Sequence, residues 1–334
     1  MWKRAFWVFV VLGLPTALIV VGYLIADNEV TSHTTKAGKL ILRDADTAAR
    51  EVWILLAVGL VVLVLLAGWL SKGEVFGAFI DARNRYSLSR VQVAAWTALV
   101  LSAWLAVVLV RVAGGVSIDD ALKVDIPGAV LAALGVSVGS FAFSAGINDS
   151  KRKQTVKPTW QVDLQNRRNL VYTDLQAATT TWADAKANAA IATGDDQAAL
   201  EKQALVSKTK VDALTAELAD LDNQIKQQQD AEGLLVKNSS PSEASAADLF
   251  RGEEIADAQT IDFGKVQMLY ISIAAIGAYG FVLAEGITKG TLFASGGVSL
   301  PELTDSIVVL LGISHAGYLT VKASNSEPTR TSGT

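Results

Sequence analysis

The sequence predicts an all-α integral membrane protein, with six transmembrane helices and an antiparallel coiled-coil hairpin on the cytoplasmic side. Three observations predict it. Six separate stretches of about 20 apolar residues punctuate the 334-residue chain, each long enough at about 1.5 Å per residue to cross about 30 Å of hydrocarbon. Charged residues make up 19% of the chain and hydrophobic ones 51%. A soluble domain carries about 25% charge, and here the deficit is concentrated in the apolar stretches. One polar insert of roughly 115 residues switches to the three-four spacing of water-exposed helices.

The expected spans are 5–25, 52–70, 91–112, 127–147, 266–285 and 303–321. The first follows Met1-Trp2-Lys3-Arg4. Its apolar run is too long for a signal-peptide core and lacks a small-x-small exit, so it reads as a retained span. Trp53 and Trp69 mark the two ends of the second span, where the indole ring suits the interface. The interiors of the first four hold no Asp, Glu or Lys, and Arg111, Glu285 and Asp305 fall at or near span ends.

Orientation follows from the Lys/Arg bias of the connecting segments. Lys3 and Arg4, then Lys72, Arg83, Arg85 and Arg90, then Lys151, Arg152, Lys153 and Lys157, and finally Lys322 all fall on one side of a six-span path. Loops 113–126 and 286–302 carry only Lys123 and Lys289 as cations. Both termini and the insert are therefore expected in the cytoplasm, at an inner-membrane-type bilayer. The loop 26–51 runs against the bias with Lys36, Lys39, Arg43 and Arg50. Lys151, Arg152, Lys153 and Lys157 form a juxtamembrane cluster of the kind that anionic head groups attract.

Segment 89–147 is similar to segment 264–323. Arg90-Val91-Gln92 aligns with Lys265-Val266-Gln267, Trp104 with Tyr279, and Phe141 with Tyr318. Gly-Gly-Val-Ser occurs in both loops, at 114–117 and 296–299, and Leu134 to Ser137 parallels Leu311 to Ser314. The pattern predicts two membrane hairpins related as parallel repeats. Gly135 and Gly139, like Gly312 and Ala316, sit four apart, which lets helix backbones approach closely in lipid. Spans four and six are expected to touch through these faces, within one chain or between subunits, with Ser137 and Ser314 donating hydrogen bonds across the contact. The opening Ser87-Leu88-Ser89-Arg90-x-Gln92 with Trp96, and the closing Leu311-Gly312-Ile313-Ser314, together resemble a set of uncharacterised prokaryotic multi-pass membrane proteins. The resemblance covers the two hairpins, about a third of the chain, and carries no activity.

The domain plan is a two-span region at 1–88, hairpin repeats at 89–147 and 264–323, the insert at 148–263 and a disordered tail at 324–334. In the insert, Leu164, Val171, Leu175, Ala178, Trp182, Ala185 and Ala189 form one helical stripe, and Leu200, Ala204, Val211, Leu214, Leu218, Leu221 and Ile225 form a heptad-like seam. The break Thr193-Gly194-Asp195-Asp196 turns one helix into the other. Residues 243–259 read as a short acidic helix with a solvated charged face, after a flexible break around Pro241.

The absence of cysteine excludes disulfides, thiolate metal sites and cysteine nucleophiles. Two histidines, His33 and His315, leave little for a histidine metal site, and a net charge of −4 argues against nucleic acid. No metal or cofactor is expected. Gly135-Val136-Ser137-Val138-Gly139 matches the G-x-S-x-G pattern, but that motif works on a strand-turn-helix, and here it lies inside an expected membrane helix. A Ser137/His315 hydrolase is the sharp reading and glycine-faced packing the plain one. His315 is the ionisable residue best placed for gating, and Glu285 could line a pore mouth. The sequence therefore predicts a non-enzymatic membrane scaffold whose hairpin, at 161–232, docks a cytoplasmic protein partner or large assembly, and which associates as a homo-oligomer. An oligomeric channel or transporter gated through the hairpin is the alternative.

Overall fold

Pro15 opens the first helix, α1 (Leu14–Glu29), in the turn where a missing N–H costs nothing. The computed structural model describes residues 13–34, 40–43, 45–154, 158–193, 195–229, 231–288 and 298–324. A short antiparallel ladder follows α1, with β1 (Thr31–Thr34) pairing β2 (Leu40–Arg43). Helix α2 (Ala45–Lys72) begins seven residues before the expected span. That extra length is alanine-rich, and Ala45, Ala48 and Ala49 are buried in the central core with Ala26 of α1. Small residues set the α1–α2 spacing: a Cβ on Gly22 would press on Val52 and Leu109, and one on Gly59 would collide with Leu18. Gly73, at φ +77°, closes α2 with its N–H on the carbonyl of Trp69.

Helix α3 (Leu88–Ala113) is the hub of the first compact unit, packing on α1, α2 and α7 (Phe263–Thr288). The core it organises contains Leu56, Trp96, Val107, Tyr279, Leu283 and Leu311. The Trp96 and Tyr279 rings lie 6.1 Å apart, and the Trp53 indole donates to the Ser102 hydroxyl at 3.1 Å. Helix α4 (Gly128–Arg152) sends Val130 and Ala133 into the same core. Helix α8 (Asp305–Ala323) packs along α7. The loops beyond α3 and α7 meet through β3 (Val124–Asp125) and β4 (Val298–Ser299), paired in parallel.

Among the described residues, α2, α3, α4, α7 and α8 are long and apolar enough to cross a membrane. Their outer faces carry Ile54 and Val58, Leu131 and Phe143, Ile273 and Phe281, and Val309 and Ile313, the side chains that lipid rather than water accommodates. Of the first expected span, residues 5–12 lie outside the described residues, and the remainder is α1. The loop stretch containing Lys289 and Gly296, the residues Lys157 and Gly194, and the tail from 325 onward also lie outside them.

The chain divides into two compact units. One is built from the described residues of Met1–Ile147, Ser240–Gly252 and Gln259–Asn325, the other from those of Asn148–Ser239 and Glu253–Ala258. The second unit holds α5 (Pro158–Ile191) and α6 (Asp195–Gln229), 34 and 35 residues long and packed on each other. Leu164, Val171 and Leu221 form the centre of that contact, with Leu214, Leu218 and Ile225 against them. Arg167 pairs with Glu217 at 2.9 Å and Arg168 with Asp222 at 2.6 Å across the two helices.

The acidic helix expected at 243–259 does not form. In the first unit, Pro241–Glu243 and Ala246–Leu249 make two 3-10 turns, the second closed by a Ser245/Asp248 capping box. Arg251 then bridges to Ile261. In the second unit, Glu254 bridges to Leu235. The backbone groups a helix would need are spent on these turns and bridges.

Candidate functional site

The interior of the first unit contains a polar layer between two apolar ones. Leu88, Met268 and Tyr318 cluster at one end of α3, α7 and α8. Trp96, Tyr279 and Leu311 belong to the central core. Two to three helical turns separate these layers on each helix, and each helix carries a buried polar residue between them. The Gln92 amide donates to the Ser272 hydroxyl at 2.7 Å and lies 3.4 Å from the Met268 carbonyl. On α8, Ser314 and His315 occupy the matching turn and are buried. The Ser314 hydroxyl, both His315 ring nitrogens, the Tyr279 hydroxyl and the Trp96 indole N–H have no hydrogen-bond partner among the described residues. Leaving such a group unpaired costs about 1–3 kcal/mol. Groups of this kind exchange hydrogen bonds with buried water or a polar ligand.

Helix α4 separates two kinds of small residue onto opposite faces. Val130, Ala133, Ser137, Ser140 and Ser144 recur at three-four spacing and are buried. Gly128, Gly135, Gly139 and Gly146 fall about 180° around the helix from them, and a Cβ built on any of the four meets nothing. Gly312 is equally open, and Ala316 is exposed. The expected contact of spans four and six through Gly135, Gly139, Gly312 and Ala316 is therefore not made within the chain. Ser137 and Ser314 point inward, away from those glycines. Four-residue spacing identifies a helix face but not what that face meets. Here the hydroxyls took the protein interior and the glycines the outside.

No hydrogen bond joins Ser137 to His315, because neither the hydroxyl nor either ring nitrogen has a partner. Ser137 lies within a continuous helix rather than at a strand-to-helix turn. The nucleophile relay that G-x-S-x-G suggests is not assembled. Glu285 sits on the exposed side of α7. Among the described residues no cluster of three or more His, Asp or Glu could hold a metal.

The cations that mark topology in the sequence serve as structural ties. In the first unit, Arg85 donates from Nε to the Asp248 carboxylate at 2.9 Å and from Nη1 to the Gly252 carbonyl at 3.0 Å. Asp248 also accepts from the backbone N–H of Ser245. Lys265 reaches the carbonyls of Asp248 and Arg251, and Arg83 pairs with Asp81 at 2.7 Å. Burial, and then the carboxylates of Glu74 and Asp248, hold the Tyr86 phenol above its ordinary value. In the second unit, the Lys151 ammonium bonds the Glu254 carboxylate, with side chains 4% and 6% exposed. Arg152 pairs with Glu232 at 3.2 Å, and Lys237 pairs with the same carboxylate. Lys153 keeps an exposed pair with Asp149.

This corrects two expectations. Lys151 does not face head groups, and Asp248 and Glu254 do not lie on a solvated helix face. The partners Arg85 and Asp248 stand 163 positions apart and Lys151 and Glu254 stand 103 apart, separations at which no local spacing rule operates. For Lys151 and Glu254 the one available signal was a match of opposite charges on the two flanks of the insert.

No family model, curated protein or solved structure matches the chain.

Proposed function

We propose that this chain is a non-enzymatic membrane scaffold. Six spans, counting α1 with the residues before it, hold it in the bilayer, and α5 and α6 act as a coiled-coil hairpin that docks a cytoplasmic protein. The observation that carries this reading is the character of the α5–α6 surface. The seam between the two helices already buries its own leucines, yet Leu170, Ile191, Leu205 and Val206 remain exposed, Leu205 at 65%. Apolar side chains left on a hairpin that has closed its own core suit a protein partner. The open glycine face of α4 suits a second copy of the chain in the membrane, which would make the scaffold an oligomer.

A photo-crosslinking residue at Leu205 in the full chain, in its native membrane, tests the reading. The expected product is an adduct with a second polypeptide of one defined mass. Adducts confined to the hairpin itself would overturn it.

A second reading, an oligomeric channel or proton-linked transporter, draws on the unpaired polar layer around His315. Intramembrane ionisable residues mark ion paths by default. Under it, His315→Ala changes proton or ion flux in reconstituted vesicles. Under the scaffold reading the flux stays at background with and without the substitution.

A further inference from the structure

An apolar cleft of about 450 Å³ opens on the outer surface of the first unit, between α2 and α3. Leu60 and Val64 form one wall, Val93 and Thr97 the other, and Phe141 of α4 closes one side. The single charged group in its lining is Arg90.

Arg90 stands in the first turn of α3, at the edge of a candidate span. From there to Ala98, the far lining residue on α3, the cleft runs about 12 Å toward mid-bilayer, at about 1.5 Å per residue. The other arginines of this segment are neutralised: Arg83 by Asp81 and Arg85 by Asp248. Arg90 has no carboxylate partner among the described residues. Its Nη1 donates to the Ala78 carbonyl at 3.3 Å, and its guanidinium lies 5.9 Å from the Phe141 ring centre. The aligned cation in the other hairpin, Lys265, is by contrast buried and held by two carbonyls. The start of α3 adds further positive potential, since its first N–H groups lack helical acceptors and the Ser87 side chain does not cap them.

We infer that this cleft binds one acyl chain of an anionic phospholipid, with the lipid phosphate on Arg90. The occupant follows from the chemistry. An apolar slot opening sideways into hydrocarbon and ending at an uncompensated guanidinium at the interface complements a molecule with a hydrocarbon tail and an anionic head. Guanidinium meets phosphate oxygens in a fork that ammonium lacks. The inference needs only the membrane setting and is independent of the scaffold reading.

Native mass spectrometry of the full chain tests it, after delipidation in detergent and titration with phosphatidylglycerol or phosphatidylcholine of identical chains. The wild type should retain one phosphatidylglycerol about fivefold more tightly than phosphatidylcholine, the size of effect expected for one interfacial cation. Arg90→Gln should bring the two lipids level, whereas Arg90→Lys should keep most of the preference. Ala94→Phe fills the slot and spares the cation, and should weaken both lipids alike. Equal retention of the two lipids by the wild type, or an unchanged preference in Arg90→Gln, overturns the head-group assignment. Undiminished retention in a folded Ala94→Phe protein overturns the cleft as the site. A cysteine at Leu63 that is shielded from labelling only when the chain dimerises would show that a second copy fills the cleft, and would overturn both.

Discussion

Lys151 and Glu254 illustrate how much a single charged pair can commit. Each is buried, so breaking the pair by removing either partner should cost about 3–5 kcal/mol. We expect Lys151→Met and Glu254→Leu each to lower the unfolding midpoint of the purified protein strongly. The double substitution should recover most of the loss, and a double-mutant cycle by thermal unfolding in detergent measures that recovery. Arg85 makes a related prediction of different form. Its planar fork serves the Asp248 carboxylate and the Gly252 carbonyl at once, and lysine cannot satisfy both from one nitrogen in that geometry. Arg85→Lys should therefore cost about 2 kcal/mol, the worth of one charge-assisted hydrogen bond, although formal charge is unchanged.

At the scale of elements, glycines divide into those that meet backbone and those that meet nothing. Gly68 and Gly77 are of the first kind: a Cβ on Gly68 would run into the backbone of Gly77 and Ala78. Gly68→Leu should destabilise the isolated chain by about 1–3 kcal/mol or more, because neither backbone can yield. Gly135 and Gly139 are of the second kind. Gly135→Leu with Gly139→Leu should leave the unfolding midpoint of the monomer unchanged and abolish self-association, as sedimentation in density-matched detergent would report. If the doubly substituted chain still self-associates, α4 is not the contact surface. The sequence put Gly135 and Gly139 at helical spacing and could not say whether they have neighbours, since that depends on how the helices pack. The serines of α4 were placed on the wrong side for the same reason.

Across the whole molecule, what was legible in the sequence was whatever periodicity alone determines. Five apolar helices and the paired helices of the insert are present, and the α5 stripe through Leu164, Val171, Ala178, Ala185 and Ala189 is buried as its spacing implied. The segment 243–259 was misread because its long-range ties to Arg85 and Lys151 outweigh its modest helix propensity. The polar layer was half visible: His315 and Ser314 stood out in an apolar span, but Gln92 and Ser272 meet only through packing. The proposed six-span path can be tested cleanly, because the chain has no cysteine of its own. In intact cells, a cysteine at Ser117 should react with a membrane-impermeant maleimide and one at Ala187 should resist it until the membrane is opened. The reverse pattern would place the hairpin outside.

The chain leaves α4 at Arg152 and, nearly eighty residues later, is caught again beside it. Glu232 grips Arg152, and the N–H of Leu234 takes the Lys151 carbonyl. Gly233, at φ +65°, lies so close to those carbonyls that no side chain would fit. The two feet of the α5–α6 excursion are thus fastened together without help from the helices above them. Such an attachment behaves like a handle on a fixed mount. It can be lengthened, shortened or exchanged for another module while its base stays shut, since closing a longer loop costs only about 0.6 kcal/mol per doubling.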